Sequence, residues 1–314
     1  MKKNKFKNRN KISISLLIPI YNEADAVPKL LKKVENNNIY KEVLIIDNNS
    51  SDNSFNKVYE YVKKNKNFRL ISQKIKGKTN AILKGIKNLN KCDYVAMIDG
   101  DNTYDVDEIS KLMTYLKDYD VVNGDRISNL NYLKSLSNNY FHYYGNSFIT
   151  KFYNLMFSDN LKDIFTGLRI FKYDLIKKFF FFRSGFSLET EINCILKLNR
   201  IYVKEVPINF KERSGKSKSK LNPIKDGLLI MFCILTNFIS YFPFKFFSIL
   251  GAIFFATSIY FFYFPFKEYL MFNYVYKIPS LIVSVSLFVI SLLAFFSGII
   301  LENIKKIHFS IIRL

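Results

Sequence analysis

The chain has 314 residues, of which 49% are hydrophobic and 23% are charged. These proportions are ordinary for a folded chain and exclude an intrinsically disordered one. Its three cysteines, Cys92, Cys194 and Cys233, lie far apart in the sequence and are accompanied by only two histidines. The composition therefore predicts neither a disulfide framework nor a zinc site, and it is typical of a reducing compartment.

The net charge of +21 is concentrated in the first part of the chain, since residues 227–314 contain only six basic and two acidic residues. An excess of this size is typical of proteins that bind nucleic acid, anionic membrane surfaces or phosphorylated substrates. A general drift of codon usage towards Lys and Asn explains the charge equally well. Charge alone therefore selects no partner.

Apolar, β-rich runs alternate with amphipathic stretches in the first half of the chain. This alternation predicts an α/β domain with a mainly parallel sheet, in which ligands bind beyond the carboxyl ends of the strands. The predicted strands are Ile14–Ile20, Val43–Ile46, Phe68–Ser72, Tyr94–Ile98 and Asp120–Val122. The predicted helices are Ala26–Glu35, Asn53–Lys64, Thr79–Leu89 and Val106–Leu116.

Polar residues follow three of these strands. The first strand, which contains Pro19, ends at Ile20 and is followed by Tyr21-Asn22-Glu23, the second is followed by Asp47, and the fourth by Asp99-Gly100-Asp101. Alternation along an extended chain would point Asp99 and Asp101 the same way, and Gly100 would let a ligand approach the backbone. Two hard oxygen ligands suit Mg²⁺ or Mn²⁺, which completes its coordination with water and substrate phosphate.

Neither a phosphate-binding loop nor a dinucleotide fingerprint follows the first strand. The sequence therefore predicts a nucleotide site in which a metal ion, rather than a glycine-rich loop, carries the diphosphate.

Two charge-free runs near the C-terminus, Phe246–Phe266 and Ile278–Leu301, contain 21 and 24 residues. About 20 apolar residues suffice to cross a membrane, so these runs predict a transmembrane hairpin, with two buried core helices as the alternative. Basic residues beside the second run favour a cytoplasmic catalytic domain, namely Lys305, Lys306 and Arg313.

A third charge-free run, Gly227–Phe244, contains Pro243 and several polar residues. It is interpreted as a helix lying in the membrane interface, with a third span as the alternative. The predicted domains are thus a catalytic domain over residues 1–221, an interfacial helix over 222–245, and two membrane helices with a short basic tail over 246–314.

Eight motifs occur in one order: IPIYNE (18–23), DNNSSD (47–52), GKTNA (77–81), DGD (99–101), GDR (124–126), FTGLRIF (165–171), LETE (188–191) and ERSGKSKSKL (212–221). With these motifs the chain resembles the family 2 inverting glycosyltransferases of the GT-A fold. Within that family it resembles the polyprenyl-phosphate hexosyltransferases, which are dolichol-phosphate mannose synthase-like enzymes. The resemblance extends from Ser13 to Leu221, and the two-span tail is similar to that of membrane-anchored members.

The resemblance implies a role for each matching residue. Asp99 and Asp101 would be catalytic and would bind Mg²⁺ or Mn²⁺, with Thr103 as a further candidate ligand where relatives often carry glutamine. Paired aspartates often follow the second strand in relatives, whereas Asn48 follows Asp47 here. The nucleotide-sugar site would comprise Pro19, Tyr21, Asn22, Glu23, Asp47, Lys78, Asp99, Gly100, Arg213 and Lys218, and the acceptor phosphate would contact Arg126, Arg169 and Arg213.

The implied reaction is inverting transfer of a hexose from a nucleotide sugar, of the GDP-mannose or UDP-glucose type, to polyprenyl or dolichyl phosphate. A phosphate monoester is already anionic at neutral pH, so no strong general base is required. Glu189 and Glu191 could orient the sugar or the acceptor, or could simply face solvent. The expected partners are the donor, the lipid acceptor and the bilayer, without nucleic acid; a homo-oligomer is compatible with the sequence.

Two other functions remain open from the sequence. The first is a family 2 enzyme that glycosylates a sugar hydroxyl in glycolipid or polysaccharide synthesis, which would need a general base. The absence of tryptophan from the sequence argues against a processive polymerase, because those enzymes carry a Gln-x-x-Arg-Trp motif. The second is a non-catalytic membrane module that binds phosphate, for which Asp99 and Asp101 would be dispensable.

Overall fold

The computed structural model describes residues 12–37, 39–129, 140–179, 188–211 and 223–312, which form two compact units that divide between residues 234 and 235. The described strands are β1 (Ile14–Ile20), β2 (Tyr40–Asp47), β3 (Phe68–Ser72), β4 (Tyr94–Met97), β5 (Val121–Asp125), β6 (Arg169–Lys172) and β7 (Val203–Pro207). The helices of the first unit are α1 (Val27–Asn37), α2 (Ser54–Val62), α3 (Lys78–Asn88), α4 (Glu108–Met113), α5 (Tyr140–Phe157), α6 (Tyr173–Ile176) and α7 (Leu188–Leu198).

The strands form one sheet in the order β3-β2-β1-β4-β6-β5-β7. Strand β6 runs antiparallel to β4 and β5, and every other described pair is parallel. The predicted α/β fold with a mainly parallel sheet is therefore confirmed. The predicted bounds of β1 and β3 agree with the structure, whereas β6 and β7 were not predicted.

Helices cover both faces of the sheet, which explains why its central strand reads as a continuous apolar run. All seven residues of β1 are buried, with Leu16 and Ile18 in the core on one face and Leu17 in the core on the other. Helix α1 buries residues at helical spacing against the first of these cores: Val27, Leu30, Leu31 and Val34. The sheet is thus fixed from both sides, and its carboxyl edge is a rigid platform for loops.

Helix α8 (Pro223–Tyr241) follows, and the division between the two units falls within it. Its first half buries Ile230 and Cys233 and exposes Leu228, Leu229 and Phe232. An apolar surface on the exposed side of a helix is compatible with the predicted position in the membrane interface, which stays a prediction.

The second unit contains two long helices, α9 (Pro243–Phe272) and α10 (Ile278–Ile312). Among the described residues, these two helices are the ones long and apolar enough to cross a membrane. The predicted runs 246–266 and 278–301 lie within them, and helix α9 continues through Pro265 and beyond the predicted end.

Small and hydroxyl-bearing residues form the contact between α9 and α10. On α9, Gly251, Ser258 and Pro265 recur every seven residues and are buried; on α10, Ser284 and Ser291 are buried at the same spacing. Ser258 donates to the carbonyl oxygen of Ser284 (2.8 Å), and Ser291 donates to that of Gly251 (2.9 Å). Close backbone approach and hydroxyl-to-carbonyl bonds are typical of helices that associate in lipid.

Candidate active site

The carboxyl ends of β2, β1 and β4 lie side by side, so the loops after these strands meet at one edge of the sheet. Asn22, in the left-handed region with φ 52°, joins the first two of these loops. Its side-chain amide donates to Ser51 Oγ (3.0 Å) and its Oδ1 accepts the Ser51 N–H (2.8 Å), while its backbone N–H donates to Ser50 Oγ (3.0 Å). The described side-chain contacts of Asn22 therefore position the loops of the predicted nucleotide site.

Asp47, at the end of β2, combines burial with a free hydrogen-bonding capacity. Its Oδ2 accepts the Ser50 N–H at 3.3 Å, whereas its buried Oδ1 has no hydrogen-bond donor among the described residues. Buried acceptors are normally paired, so an unpaired one at the predicted ligand-binding edge is a candidate partner for a ligand. The geometry is consistent with the predicted contact to a nucleobase.

The other residues predicted around the nucleoside lie at the same edge. Pro19 is buried within β1. Tyr21 is half-buried, and the Lys76 ammonium lies 5.4 Å from the centre of its ring. Glu23 is buried, and its backbone N–H donates to Ser54 Oγ at 2.8 Å.

The structure shows a packing reason for glycine at position 100, which was not predicted from the sequence. A Cβ atom at this position would lie 2.6 Å from Ile20 Cγ2 and 3.0 Å from the carbonyl oxygen of Pro19. The end of β1 therefore occupies the space that a side chain at this position would need, and the predicted approach of a ligand to the Gly100 backbone stays a prediction. Glycine is required here because the Asp-Gly-Asp turn packs directly on the neighbouring strand.

Asp101 is oriented by a residue two positions later. Its Oδ1 accepts both the Thr103 hydroxyl (2.6 Å) and the Thr103 backbone N–H (3.2 Å). Thr103 itself is buried. This geometry favours Thr103 as the residue that holds the Asp101 carboxylate over the predicted role of a further metal ligand.

Asp99 is engaged by a lysine from another loop. The Lys78 ammonium lies 2.5 Å from Asp99 Oδ1 and 2.5 Å from Glu189 Oε1, so it bridges the segment after β4 and helix α7. Burial disfavours the charge of Lys78, but the two carboxylates outweigh this effect and raise its pKa. Burial also raises the pKa of Asp99, against the opposing attraction of Lys78. Lys78 therefore remains protonated between two acids.

Gly167 lies next to Asp99 Oδ2, the carboxylate oxygen opposite the one that contacts Lys78. A Cβ atom at Gly167 would lie 2.2 Å from Asp99 Oδ2, and the Gly167 N–H donates to the hydroxyl of buried Tyr104 at 2.6 Å. The two oxygens of Asp99 thus face Lys78 on one side and the Gly167 backbone on the other. The carboxylate has one defined position.

Arg169 is buried completely and its guanidinium is surrounded by protein acceptors. It donates to the carbonyl oxygens of Thr166 (2.9 Å), Ile164 (3.1 Å) and Glu189 (3.4 Å), and to Asn193 Oδ1 (2.6 Å). These contacts join the loop that contains Gly167 to the start of α7. They do not fit the predicted contact with an acceptor phosphate and favour a structural role instead.

Arg126 is likewise bound by the protein. Its Nε and Nη2 atoms donate to the two oxygens of the buried Asp163 carboxylate, at 2.7 and 2.9 Å. Its guanidinium also lies 5.3 Å from the centre of the Phe210 ring. In this structure the planar fork that we had expected to bind phosphate is occupied by Asp163. Arg213 and Lys218 lie outside the described residues.

Sequence reasoning missed Asp163, Tyr104 and Asn193. Each forms a hydrogen bond with a residue distant in the chain, as Asp163 does with Arg126, and none lies in a short motif of recognisable spacing. Glu189 and Lys78 both lay in quoted motifs, but nothing in those motifs indicated that the two side chains meet.

The donor set at this edge fits one divalent cation. Asp101, Glu189 and Lys78 each interact electrostatically with Asp99, and three carboxylates with one ammonium leave a formal charge of −2. Mg²⁺ is usually bound by one or two carboxylates together with substrate phosphates. The described residues contain no preformed group of three or more His, Cys, Asp or Glu ligands, so a cation here would depend on Asp101 and the substrate.

Adding a methyl group at Gly167 is expected to displace the Asp99 carboxylate. We expect Gly167→Ala to lower the rate of the sugar transfer that the sequence predicts by about 10- to 100-fold, since misplacing a group by about 1 Å has effects of this order if the group is catalytic, as predicted for Asp99. The matched control is Gly145→Ala, because a Cβ atom at Gly145 on α5 has no neighbour within 4 Å. Equal rates for the two variants would show that catalysis tolerates a shifted Asp99.

Comparison with known proteins identifies the family. The model of glycosyl transferase family 2 matches residues 15–180, more than half of the chain. The chain therefore belongs to glycosyl transferase family 2, and it is a glycosyltransferase. The predicted alternative of a non-catalytic module is set aside by this match.

Relatives and solved structures agree with this assignment. Glycosyltransferase AglJ of Haloferax volcanii is 26% identical over 219 residues, which cover 69% of each chain. A dolichyl-phosphate beta-glucosyltransferase of Dictyostelium discoideum is 24% identical over 251 residues, 70% of this chain and 73% of that one. Glucosyl-3-phosphoglycerate synthase from Mycobacterium tuberculosis, solved with Mn²⁺, UDP and phosphoglyceric acid, has a TM-score of 0.56 at 13% identity and covers 73% of this chain and 78% of that chain. This last likeness concerns the fold alone.

Proposed function

We propose that the protein is a metal-dependent, inverting hexosyltransferase that transfers a sugar from a GDP-mannose or UDP-glucose type donor to polyprenyl or dolichyl phosphate. The observation that carries the proposal is the edge formed by β2, β1 and β4, where the unpaired Asp47 oxygen at the end of β2 and the oriented Asp101 carboxylate after β4 lie on either side of β1. Such an edge supplies an acceptor for a base and an anion for a cation bound to diphosphate.

Each end of the donor has a proposed partner at this edge. Asp47 accepts a hydrogen bond from the base, and Pro19, Tyr21 and Glu23 line the nucleoside pocket. Asp101, held by Thr103, binds Mg²⁺ or Mn²⁺, which would stabilise the charge that develops on the leaving diphosphate. The related synthase that binds Mn²⁺ together with UDP supports this pairing of metal and nucleotide.

The acceptor is proposed to be a lipid phosphate. Its oxygen attacks the anomeric carbon as the nucleoside diphosphate leaves, and it needs no strong base because it is already an anion. Glu189, a candidate from the sequence for orienting the sugar or the acceptor, forms an ion pair with Lys78. The similarity to a dolichyl-phosphate beta-glucosyltransferase over 70% of the chain supports this choice of acceptor. Arg213 and Lys218 are proposed to meet the phosphates.

Membrane attachment fits an acceptor of this kind. Helices α9 and α10 are proposed to span the bilayer as a hairpin, with α8 in the interface and the catalytic domain in the cytoplasm. In the first unit, helix α5 also exposes apolar side chains on one side, namely Tyr144, Phe148 and Leu155. Exposed apolar surface of this kind is typical of a protein that contacts a membrane.

The proposal is tested by assaying the full-length protein in detergent with polyprenyl phosphate and a panel of nucleotide sugars that includes GDP-mannose and UDP-glucose. We expect one donor to support transfer, a chelator to abolish it, and added Mg²⁺ or Mn²⁺ to restore it. Full activity in the chelated enzyme would contradict the metal assignment. Transfer to a sugar hydroxyl, without transfer to lipid phosphate, would favour the glycolipid or polysaccharide alternative.

A further inference from the structure

We propose that Lys78 competes with the divalent cation, so that the site binds metal weakly until a nucleotide is present. The inference rests on the proposed function, in which Asp101 binds a metal at this edge of the sheet. It goes further by assigning a distinct task to a lysine that the nucleotide-site prediction treated only as a donor contact.

The first observation is the position of the Lys78 ammonium. It lies 2.5 Å from an oxygen of Asp99, in the segment after β4, and 2.5 Å from an oxygen of Glu189 on α7. A cation placed between two carboxylates from different elements offsets negative charge that would otherwise attract a divalent ion. Lys78 therefore acts as a resident monovalent cation.

The second observation is that these partners have little freedom to turn towards a metal. Gly167 packs against Asp99 Oδ2, and the main chain of Glu189 is tied to Arg169. Glu189 is 7% exposed, so its carboxylate lacks the solvation that would favour leaving the ammonium. The Lys78 contacts are thus part of a packed arrangement rather than a surface ion pair.

The third observation concerns charge. With Lys78 in place, the group of Asp99, Asp101 and Glu189 has a formal charge of −2, and without it the charge would be −3. A more negative group attracts a divalent cation more strongly, because electrostatic interactions in partly buried sites are weakly screened. A bound diphosphate adds both negative charge and oxygen ligands, which attract Lys78 and the metal together.

Coupling between metal and nucleotide follows from this arrangement. If nucleotide relieves the competition at Asp99, the affinity for metal must rise when nucleotide binds, and the affinity for nucleotide must rise by the same factor when metal binds. The enzyme would then take up its cation with the donor and bind little of it alone.

The test measures Mn²⁺ binding by electron paramagnetic resonance to the full-length protein in detergent, first without nucleotide and then with GDP or UDP. Lys78→Met keeps the aliphatic stem and removes the charge. We expect this variant to bind Mn²⁺ about tenfold more tightly than wild type without nucleotide, the order of effect of groups adjoining metal ligands. The matched control, Lys87→Met, removes an exposed charge near the end of the same helix and should match wild type.

Two further variants keep the inference falsifiable. Lys78→Gln removes the same charge and keeps a polar side chain. It should also bind Mn²⁺ more tightly than wild type, and it replaces Lys78→Met in the comparison if that variant folds poorly. Asp101→Asn combined with Lys78→Met should lose the gain, because the extra Mn²⁺ must be bound at this site. Unchanged or weaker Mn²⁺ binding by both Lys78 variants would overturn the inference, as would a gain that survives loss of Asp101.

The same titrations separate this inference from the proposed function. Wild-type protein that binds no Mn²⁺ even with GDP or UDP would contradict the metal-dependent function itself. Mn²⁺ binding that requires Asp101 but is indifferent to Lys78 would leave the function in place and contradict only the competition.

Discussion

Asp101→Asn is expected to lower the rate of sugar transfer by roughly three powers of ten while leaving the fold intact. The substitution removes the negative charge proposed to hold the cation, and a metal contributes several kcal/mol to stabilising a leaving group, with about 1.4 kcal/mol for each tenfold in rate. The amide can still accept the Thr103 hydrogen bonds through its oxygen, so the turn should persist. Initial rates with saturating donor and metal provide the measurement.

The matched control for this variant is Asp118→Asn, which makes the same change at an exposed position. It should retain the wild-type rate and the wild-type circular dichroism spectrum. Near-normal turnover by Asp101→Asn would show that this carboxylate is not a ligand of a required metal.

Arg169→Gln is expected to destabilise the first unit, which contains the sheet, severely. The substitution removes the guanidinium that donates to the carbonyl oxygen of Thr166 and to the amide oxygen of Asn193, and it removes one of the two donors to the carbonyl oxygen of Ile164. Each buried polar group that loses its partner costs about 1–3 kcal/mol. Thermal unfolding followed by circular dichroism in detergent should show a transition lowered by several degrees or more, or a protein that fails to accumulate.

The control for Arg169 is Arg200→Gln, because Arg200 is exposed; its unfolding transition should be unchanged. A phosphate-binding role predicts a different result for Arg169→Gln, namely normal stability with a raised KM for lipid phosphate. That result would restore the assignment made from the sequence and contradict the structural one.

Local pattern was sufficient to predict part of the fold. Strands β1 and β3 were predicted with their observed bounds because each is an apolar run that ends at polar or turn residues. Strand β6 was missed because Arg169 and Lys172 leave only two apolar residues between them, although burial of Arg169 makes all but the last residue a core position. Strand β7 was missed for a similar reason, since Lys204 and Glu205 interrupt its pattern.

The candidate site, like the fold, was predictable only in part. The carboxylates at the strand ends were predictable because parallel strands bring their carboxyl ends to one edge. The contacts that hold those carboxylates were not, because they join distant parts of the chain: Lys78 with Glu189, and Arg126 with Asp163. An arginine in a motif looks the same in the sequence whether it faces a ligand or a buried aspartate.

The C-terminal helices were predictable from composition, because a long charge-free run can be recognised without knowing which residues it contacts in the fold. Their mutual packing was not predicted, although its pattern is visible in retrospect as small residues at intervals of seven, Gly251, Ser258 and Pro265 on one helix and Ser284 and Ser291 on the other. Small residues within an apolar run become informative only once the two helices are known to be antiparallel neighbours.

The central claim, transfer to a lipid phosphate, is tested most directly by comparing three acceptors at matched concentrations with the preferred donor: polyprenyl phosphate, the corresponding polyprenol, and a soluble oligosaccharide. The account predicts product with polyprenyl phosphate and none with polyprenol, because the alcohol lacks both the charge that would be bound and the ready nucleophile. Transfer to the oligosaccharide alone would contradict the lipid-phosphate acceptor and leave a family 2 glycosyltransferase that acts on a sugar hydroxyl.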